Sequence, residues 1–305
     1  MLQVLVRRLL VAAVVILGVS AAVFAIIRLT GDPLAFLLSP AASQDDARRL
    51  RELLGLDRSI PVQFWRFLTH VAVGDFGRSF LYDEPALGIV LERVPATLEL
   101  GLAAFTLTVL IGLPLGVLSV RRQETLTDYV TSFLTAIGQA LPNFWLGSML
   151  ILLLAVELGW FPTAGRGAVW HLVLPALTLA CQPISRLARL TRSELLDILG
   201  RDYIRTARAK GVSEEAVYYC HALKNVAIAL VTILGLDLGY LLGGTVIVET
   251  VFGWSGVGRL LIEAVSRRDF PVVQAAVFAI ACLVVLVNLV TDLLYAVLDP
   301  QVRVT

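Results

Sequence analysis

The sequence predicts an all-α, polytopic membrane protein with six transmembrane helices, on three observations. Hydrophobic residues make up 58% of the 305-residue chain and charged residues only 16%, where an ordinary soluble domain carries about 25% charged. The apolar residues are gathered into runs of roughly 20, which at about 1.5 Å per helical residue match the thickness of a hydrocarbon core. Arginines (Arg7 and Arg8, Arg121 and Arg122, Arg186, Arg189 and Arg192) stand at the ends of those runs that parity places on one side, as the positive-inside rule asks.

Arg7 and Arg8 precede the first run, Leu9 to Leu29, so residues 1–30 form an N-terminal transmembrane helix that starts in the cytoplasm. A secretory signal has a shorter apolar region, about 7 to 15 residues, followed by a small-residue cleavage site that is not found here. Residues 31–95 turn polar, place Asp45, Asp46, Arg48, Arg49, Arg51 and Glu52 in an exposed helix, and form an external subdomain. Long loops translocate largely regardless of charge. Their excess over what a connection needs suits contact with an external partner.

Residues 96–305 hold the other five spans. Thr97 to Val120 is the second. Ser132 to Leu158 is the third, interrupted by Pro142, whose ring and missing N–H kink a helix and free a carbonyl. Such breaks face protein or water, which marks Pro142 and Asn143 as candidates for a translocation path. Trp160 and Trp170 bracket a short outer loop at interface depth. The fourth span, Trp170 to Leu190, carries Pro175 and Pro183 and sets Thr178, Gln182 and Ser185 on one face. These polar groups either border a path or bond a neighbouring helix, and both arrangements satisfy polar groups within a membrane. Val226 to Val248 is the fifth span, with Gly235, Gly239 and Gly243 spaced four apart for close helix packing. Asp237 lies on a different face and receives no role. Glu249 to Pro271 is external by parity, against which Arg259, Arg267 and Arg268 run, offset in part by Glu249, Glu263 and Asp269. Val272 to Leu298 is the sixth span, with Asn288 and Asp292 near its inner end, and Asp299-Pro300 ends it with the C-terminus in the cytoplasm.

Several function classes are disfavoured. A net charge of +1 supplies no field for nucleic acid. The three cysteines, Cys181, Cys220 and Cys282, and the three histidines, His70, His171 and His221, are too scattered for a disulfide framework or a metal site. There is no G-x-x-x-x-G-K-[ST] phosphate loop, so the chain holds no ATP by that device. No paired nucleophile and base falls within the spans, so the chain is read as a conduit and not an enzyme. An ion-coupled secondary transporter is the weaker alternative, because only Asp237 clearly lies in a span and no inverted repeat is visible.

One polar stretch stands apart, Arg201 to Lys224, within an inward loop spanning 191–225. At 100° per residue Arg201, Arg205 and Arg208 share one helical face, and Ile204, Ala207 and Gly211 the neighbouring one. Gly211 in the left-handed conformation closes that helix, and Ser213 followed by Glu214 and Glu215 starts another. On spacing alone the stretch is either a docking element or a basic connector that holds orientation.

Arg201 to Gly211, followed by His221-Ala222-Leu223-Lys224-Asn225, resembles the coupling-loop motif of ABC importer permeases in the dipeptide, oligopeptide and nickel uptake family. Gly31-Asp32-Pro33, Leu54-Gly55-Leu56-Asp57, Gly74-Asp75-Phe76-Gly77-Arg78-Ser79, Pro95-Ala96-Thr97-Leu98-Glu99-Leu100, Pro142-Asn143-Phe144-Trp145, Val248-Glu249-Thr250-Val251-Phe252 and Asp269-Phe270-Pro271-Val272 look like the same family, in order along nearly the whole chain. The resemblance implies a type I importer permease in a bacterial or archaeal cytoplasmic membrane. Its implied partners are a second homologous permease, two ATP-binding cassette subunits carrying ATP and Mg, an extracytoplasmic substrate-binding protein and the lipid bilayer. It also implies that Asp202, Tyr203, Ile204, Arg205, Thr206, Ala207, Arg208 and Gly211 couple to the ATPases, with Ile204 and Ala207 as apolar contacts. The expected cargo is di- or oligopeptides, with glutathione or chelated nickel as alternatives. The chain departs from the pattern where Arg205-Thr206 replaces Glu-Ala and where Ala229 and Ser255 replace prolines.

Overall fold

A computed structural model of the chain describes residues 2–30, 45, 48, 52 and 57–298. Gly31-Asp32-Pro33, Leu54-Gly55-Leu56, most of the charged stretch around residue 48 and Asp299-Pro300 lie outside them. The described chain is helical: α1 Leu2–Thr30, α2 Ile60–Ala72, α3 Ala86–Arg121, α4 Leu126–Ala140, α5 Asn143–Glu157, α6 Trp170–Leu199, α7 Asp202–Ala209, α8 Glu214–Val251, α9 Val257–Ser266 and α10 Phe270–Leu298. Three wide π-helical stretches interrupt them, Thr108–Gly112 in α3, Ile151–Glu157 in α5 and Val217–Ala222 in α8. The chain forms two compact units, Met1–Thr97 with Ser255–Val285, and Leu98–Trp254 with Leu286–Thr305.

In the first unit, the Gly74-to-Ser79 motif is a turn built around its own side chains. Gly74 and Gly77 take φ of 77° and 84°, the left-handed region that a β-carbon disfavours. Between them Asp75 accepts the Gly77 N–H at 2.9 Å and lies 3.1 Å from His70. The Gly77 N–H, and after it His70, hold the Asp75 carboxyl below its ordinary range. Phe76 is thereby turned into a core with Val90, Val257, Leu260, Val272 and Ala276, and its ring meets Phe278 at 5.1 Å. Ser79 donates to the buried Asp269, which also accepts the Phe80 N–H at 3.2 Å. Two motifs far apart in sequence therefore meet in one turn. Thr97 accepts the N–H of Val257 at 2.9 Å, supplying the first turn of α9 with a partner that its own Gly256 lacks a side chain to give.

The second unit is assembled around α6. Leu174, Ala176, Leu179, Ala180, Leu187, Ala188 and Leu195 are buried on it, and α3, α4, α5 and α8 pack against it. That position explains its polarity. Among the described residues four helices are long and apolar enough to cross a membrane, α1, α3, α8 and α10, and five crossings result if the bent pair α4 and α5 is one span. The expected crossing in α6 does not qualify by composition. A helix surrounded by protein has neighbours for its polar side chains, where one facing lipid would not.

Pro142 does more than kink the third expected span. Leu141 and Pro142 are extended, and α4 and α5 meet at 109°. The carbonyls freed at the break find partners on α6: Gly138 O accepts from Cys181 Sγ at 3.7 Å, and Leu141 O from Gln182 Nε2 at 3.0 Å. The break is thus satisfied by protein, as a break within a membrane must be.

Gly235, singled out by spacing, is buried, and close helix approach is found at further glycines. A β-carbon on Gly116 would sit 2.5 Å from Thr191 Cβ, and one on Gly112 3.0 Å from the Ile184 carbonyl, both on α6. Gly138 faces Ser185 and Cys181 in the same way. By contrast a β-carbon on Gly239 would meet Asn288 at an ordinary 3.5 Å, and one on Gly243 would meet nothing. Gly112 and Gly116 carry the same four-residue spacing, so the signal was present in the sequence. Gly116→Val is expected to lower the melting point of the detergent-solubilised subunit, by an overpacking cost of about 1–3 kcal/mol. Gly243→Ala is expected to leave it unchanged, and equal melting of the two variants would refute the assignment of the contact.

Candidate coupling loop and polar network

The loop between α6 and α8 is a short helix rooted at one residue. Ile204 is fully buried, packed with Leu195, Ile198, Val217, Ala222 and Val226. Ile204, expected as an apolar contact for another subunit, is therefore taken up by the chain's own core. The reason is amphipathicity: it is the one large aliphatic side chain in α7, and burying it is worth about 1.5–3 kcal/mol. Tyr203, Arg205 and Thr206 remain exposed, and Ala207 is half-buried at the shoulder.

Gly211 has φ +80° and ends α7 as expected. The Val212 N–H reaches back to the Ala207 carbonyl at 3.2 Å, the six-to-one bond of a glycine-closed helix. Ser213 caps the next helix through the Ala216 N–H at 3.4 Å, and that helix runs on, through the π-helical stretch Val217–Ala222, into the fifth expected span. Arg208 grips Glu214 with two bonds, 2.8 and 3.1 Å, so this arginine braces the loop. Arg201 pairs with Asp197 at 2.8 Å and Arg205 with Asp202 at 3.3 Å. Exposed pairs of this kind contribute at most about 1 kcal/mol each, so the Ile204 root does most of the anchoring.

Two ion pairs extend from α6 beneath this loop. Arg192 holds Asp128 of α4 through both carboxylate oxygens at 2.9 Å, and Ser119 of α3 donates to the same Asp128. The sequence reading assigned Asp128 nothing and treated Arg192 as a boundary marker. Higher on α6, Arg186 Nε lies 3.0 Å from Asp237 Oδ1 of α8 and its guanidinium covers the Tyr240 ring at 5.1 Å. Tyr240 in turn donates to Gln182 Oε1, whose amide nitrogen holds Leu141. Asp237 thus has a partner, and Arg186 is the residue that provides it. The readable signal was a lone acid in the fifth span and arginines in the last turns of the fourth.

The candidate path residues divide. Thr178 and Ser185 are buried, with hydroxyls turned to the Leu174 and Cys181 carbonyls of their own helix. Gln182 is half-buried and joins the break in α4 and α5 to α8. Pro142 is exposed at that break, and the buried Asn143 Oδ1 has no hydrogen-bond partner among the described residues.

Residues 112–304 match the family described as the binding-protein-dependent transport system inner membrane component, and residues 1–101 match the N-terminal part of such components. The chain belongs to this family. The permease is 40% identical to the oligopeptide transport system permease protein AppB of Bacillus subtilis (strain 168), with 98% of each chain aligned. It is 41% identical to the glutathione transport system permease protein GsiC of Salmonella paratyphi A, over 99% of each. A solved inward-facing conformation of the MetNI methionine ABC transporter covers 69% of the permease and 96% of that chain, with a TM-score of 0.56 at 19% identity. A second crystal form gives 0.58 at 21%. The fold of the permease is that of a type I importer subunit, and its function is that of the inner-membrane permease component of an ABC importer.

Proposed function

We propose that the permease carries peptides, with glutathione as the second reading, through a path shared with a homologous permease. An external binding protein delivers the cargo, and two ATP-binding cassette subunits holding ATP and Mg drive it. The observation that carries the coupling assignment is the form of the 191–225 loop: a helix rooted by Ile204, closed by Gly211 and braced by Arg208 and Glu214 presents Tyr203, Arg205, Thr206 and the edge of Ala207 outward. A braced helix transmits a push, where a loose connector would absorb it. Movement of α7 reaches α8 through the shared core, and α4 by way of α6, whose Arg192 holds Asp128. Closure of the ATPases would bias a two-state equilibrium between inward- and outward-open forms. Arg7 and Arg8 and the basic loop support cytoplasmic N- and C-termini. The open space at Gly243 supports a packing face for the sister permease.

The test is a photo-crosslinking side chain at Tyr203, compared with one at Ile204, in the assembled transporter. An adduct with the ATPase is expected at Tyr203 and none at Ile204. No ATPase adduct at Tyr203 in any nucleotide state would leave the basic connector as the account of the loop. ATP-driven uptake of labelled trialanine and of labelled glutathione into proteoliposomes separates the two cargo readings.

A further inference from the structure

A cavity of about 540 Å³ opens along the C-terminal half of α6, and its lining holds three guanidinium groups and no carboxylate. Arg186, Arg189 and Arg192 come from successive turns of α6, with Ser193 beside them, and Ser132 and Gln139 contribute from α4. Two of the three charges are neutralised from outside the lining, Arg186 by Asp237 and Arg192 by Asp128. Arg189 has no carboxylate within 4.0 Å among the described residues, and its guanidinium donates only to the neutral amide of Gln139. Arg186 Nε lies 3.0 Å from Asp237 Oδ1 as an ion pair but makes no aligned hydrogen bond, so the Arg186 guanidinium keeps donors to offer. The cavity therefore presents one uncompensated positive charge, extra guanidinium donors and neutral hydroxyl and amide walls. Its volume lies within the range of about 300–1,000 Å³ that accommodates small molecules.

We infer that this cavity is a carboxylate subsite on the import route, in which Arg189, aided by the terminal N–H groups of Arg186, receives the α-carboxylate of the peptide cargo. The inference rests on the peptide reading above. A guanidinium fork matches a carboxylate with two parallel bonds, and one net charge matches one α-carboxylate. The neutral walls suit the peptide groups that follow the carboxylate along a chain, whatever its side chains. Arg189 is exposed, so its hold is moderate. A station on a route needs that, since cargo bound too tightly would not leave. A phosphate of an anionic lipid has the same attraction for a guanidinium, and the test below separates it.

The transporter is assembled with Ser193→Cys in a background where Cys181, Cys220 and Cys282 are replaced by Ala, in nanodiscs of phosphatidylcholine alone or with phosphatidylglycerol. Labelling of the new cysteine by a small water-soluble thiol reagent is followed with trialanine, trialanine amide or S-methylglutathione present, the last because its blocked thiol does not consume the reagent. Free trialanine is expected to slow labelling at least five-fold and the amide to have no effect. Arg189→Gln is expected to remove that protection, and Arg189→Lys to restore part of it, protection being the ratio of labelling rates without and with peptide in each variant, since loss of the neighbouring guanidinium itself alters thiol reactivity. Equal protection by acid and amide would overturn the inference, as would protection that survives Arg189→Gln. Slowing by phosphatidylglycerol with no added effect of peptide would assign the site to lipid, and a cysteine inert in every nucleotide state would place it under another subunit; either refutes a cargo subsite. Uptake distinguishes the two levels. If wild-type transporter imports trialanine but the cysteine is unprotected, the subsite alone falls. If it imports neither trialanine nor glutathione, the peptide reading falls and the subsite with it.

Discussion

Gly211→Asp is expected to abolish substrate-stimulated ATP hydrolysis in the assembled transporter while the subunit still inserts and the free ATPases keep their basal rate. A β-carbon at Gly211 would meet no neighbouring atom within 4 Å, so steric collision is not the cause. At φ +80° Asp, like Asn, is among the residues that tolerate the left-handed region, so the cause is the carboxylate set at the end of a docking helix. Asn tolerates the left-handed conformation and brings no charge, so Gly211→Asn should retain most of the stimulation. Ala207→Glu should match the Asp variant, because the half-buried Ala207 shoulder has no room in its role for a desolvated carboxylate. Normal transport by both the Gly211→Asp and Ala207→Glu variants would remove the coupling assignment. Arg205→Glu is expected to be severe only if an ATPase residue meets it, since among the described residues Arg205 has just an exposed partner in Asp202.

The second large effect concerns Arg192. Arg192→Ala leaves Asp128, whose side chain is 6% exposed, as a buried carboxylate with, among the described residues, only Ser119, Ser132 and the Glu124 N–H for partners. Removing one side of a buried pair costs about 3–5 kcal/mol, and the lower end applies because Arg192 itself is 33% exposed. Thermal melting of the detergent-solubilised subunit should therefore fall steeply. Asp128→Asn should cost less, since the amide oxygen still accepts from Arg192 and Ser119 and the freed guanidinium can reach solvent. The reverse order of these two variants would show that the pair is not the strut between α4 and α6 that its geometry indicates.

Much of the site was legible because it depends on local rules. A glycine needed at positive φ, a serine before two acids and a proline inside an apolar run each act over a few residues, and the structure has Gly211, Ser213 and Pro142 at those tasks. The partners of the freed carbonyls were not legible. Cys181 and Gln182 reach Gly138 and Leu141 from another helix, and no spacing rule relates residues about 40 apart. The face of α7 was read correctly as two-sided, yet its apolar side was assigned outward. Periodicity tells which residues lie together, not whether their common face meets this chain or another.

The sequence by itself determined that the chain is helical and membrane-embedded, and where its turns, caps and breaks fall, because hydropathy and backbone preference are properties of short segments. Only the tertiary structure decided that α6 is the central helix of its unit, that Asp237 is answered by Arg186 and Asp128 by Arg192, and that Gly112, Gly116 and Gly138 lie in close contact with α6. Those facts depend on which helix faces which, and that is settled by the packing of many weak contacts at once, each too small to be read from a single segment.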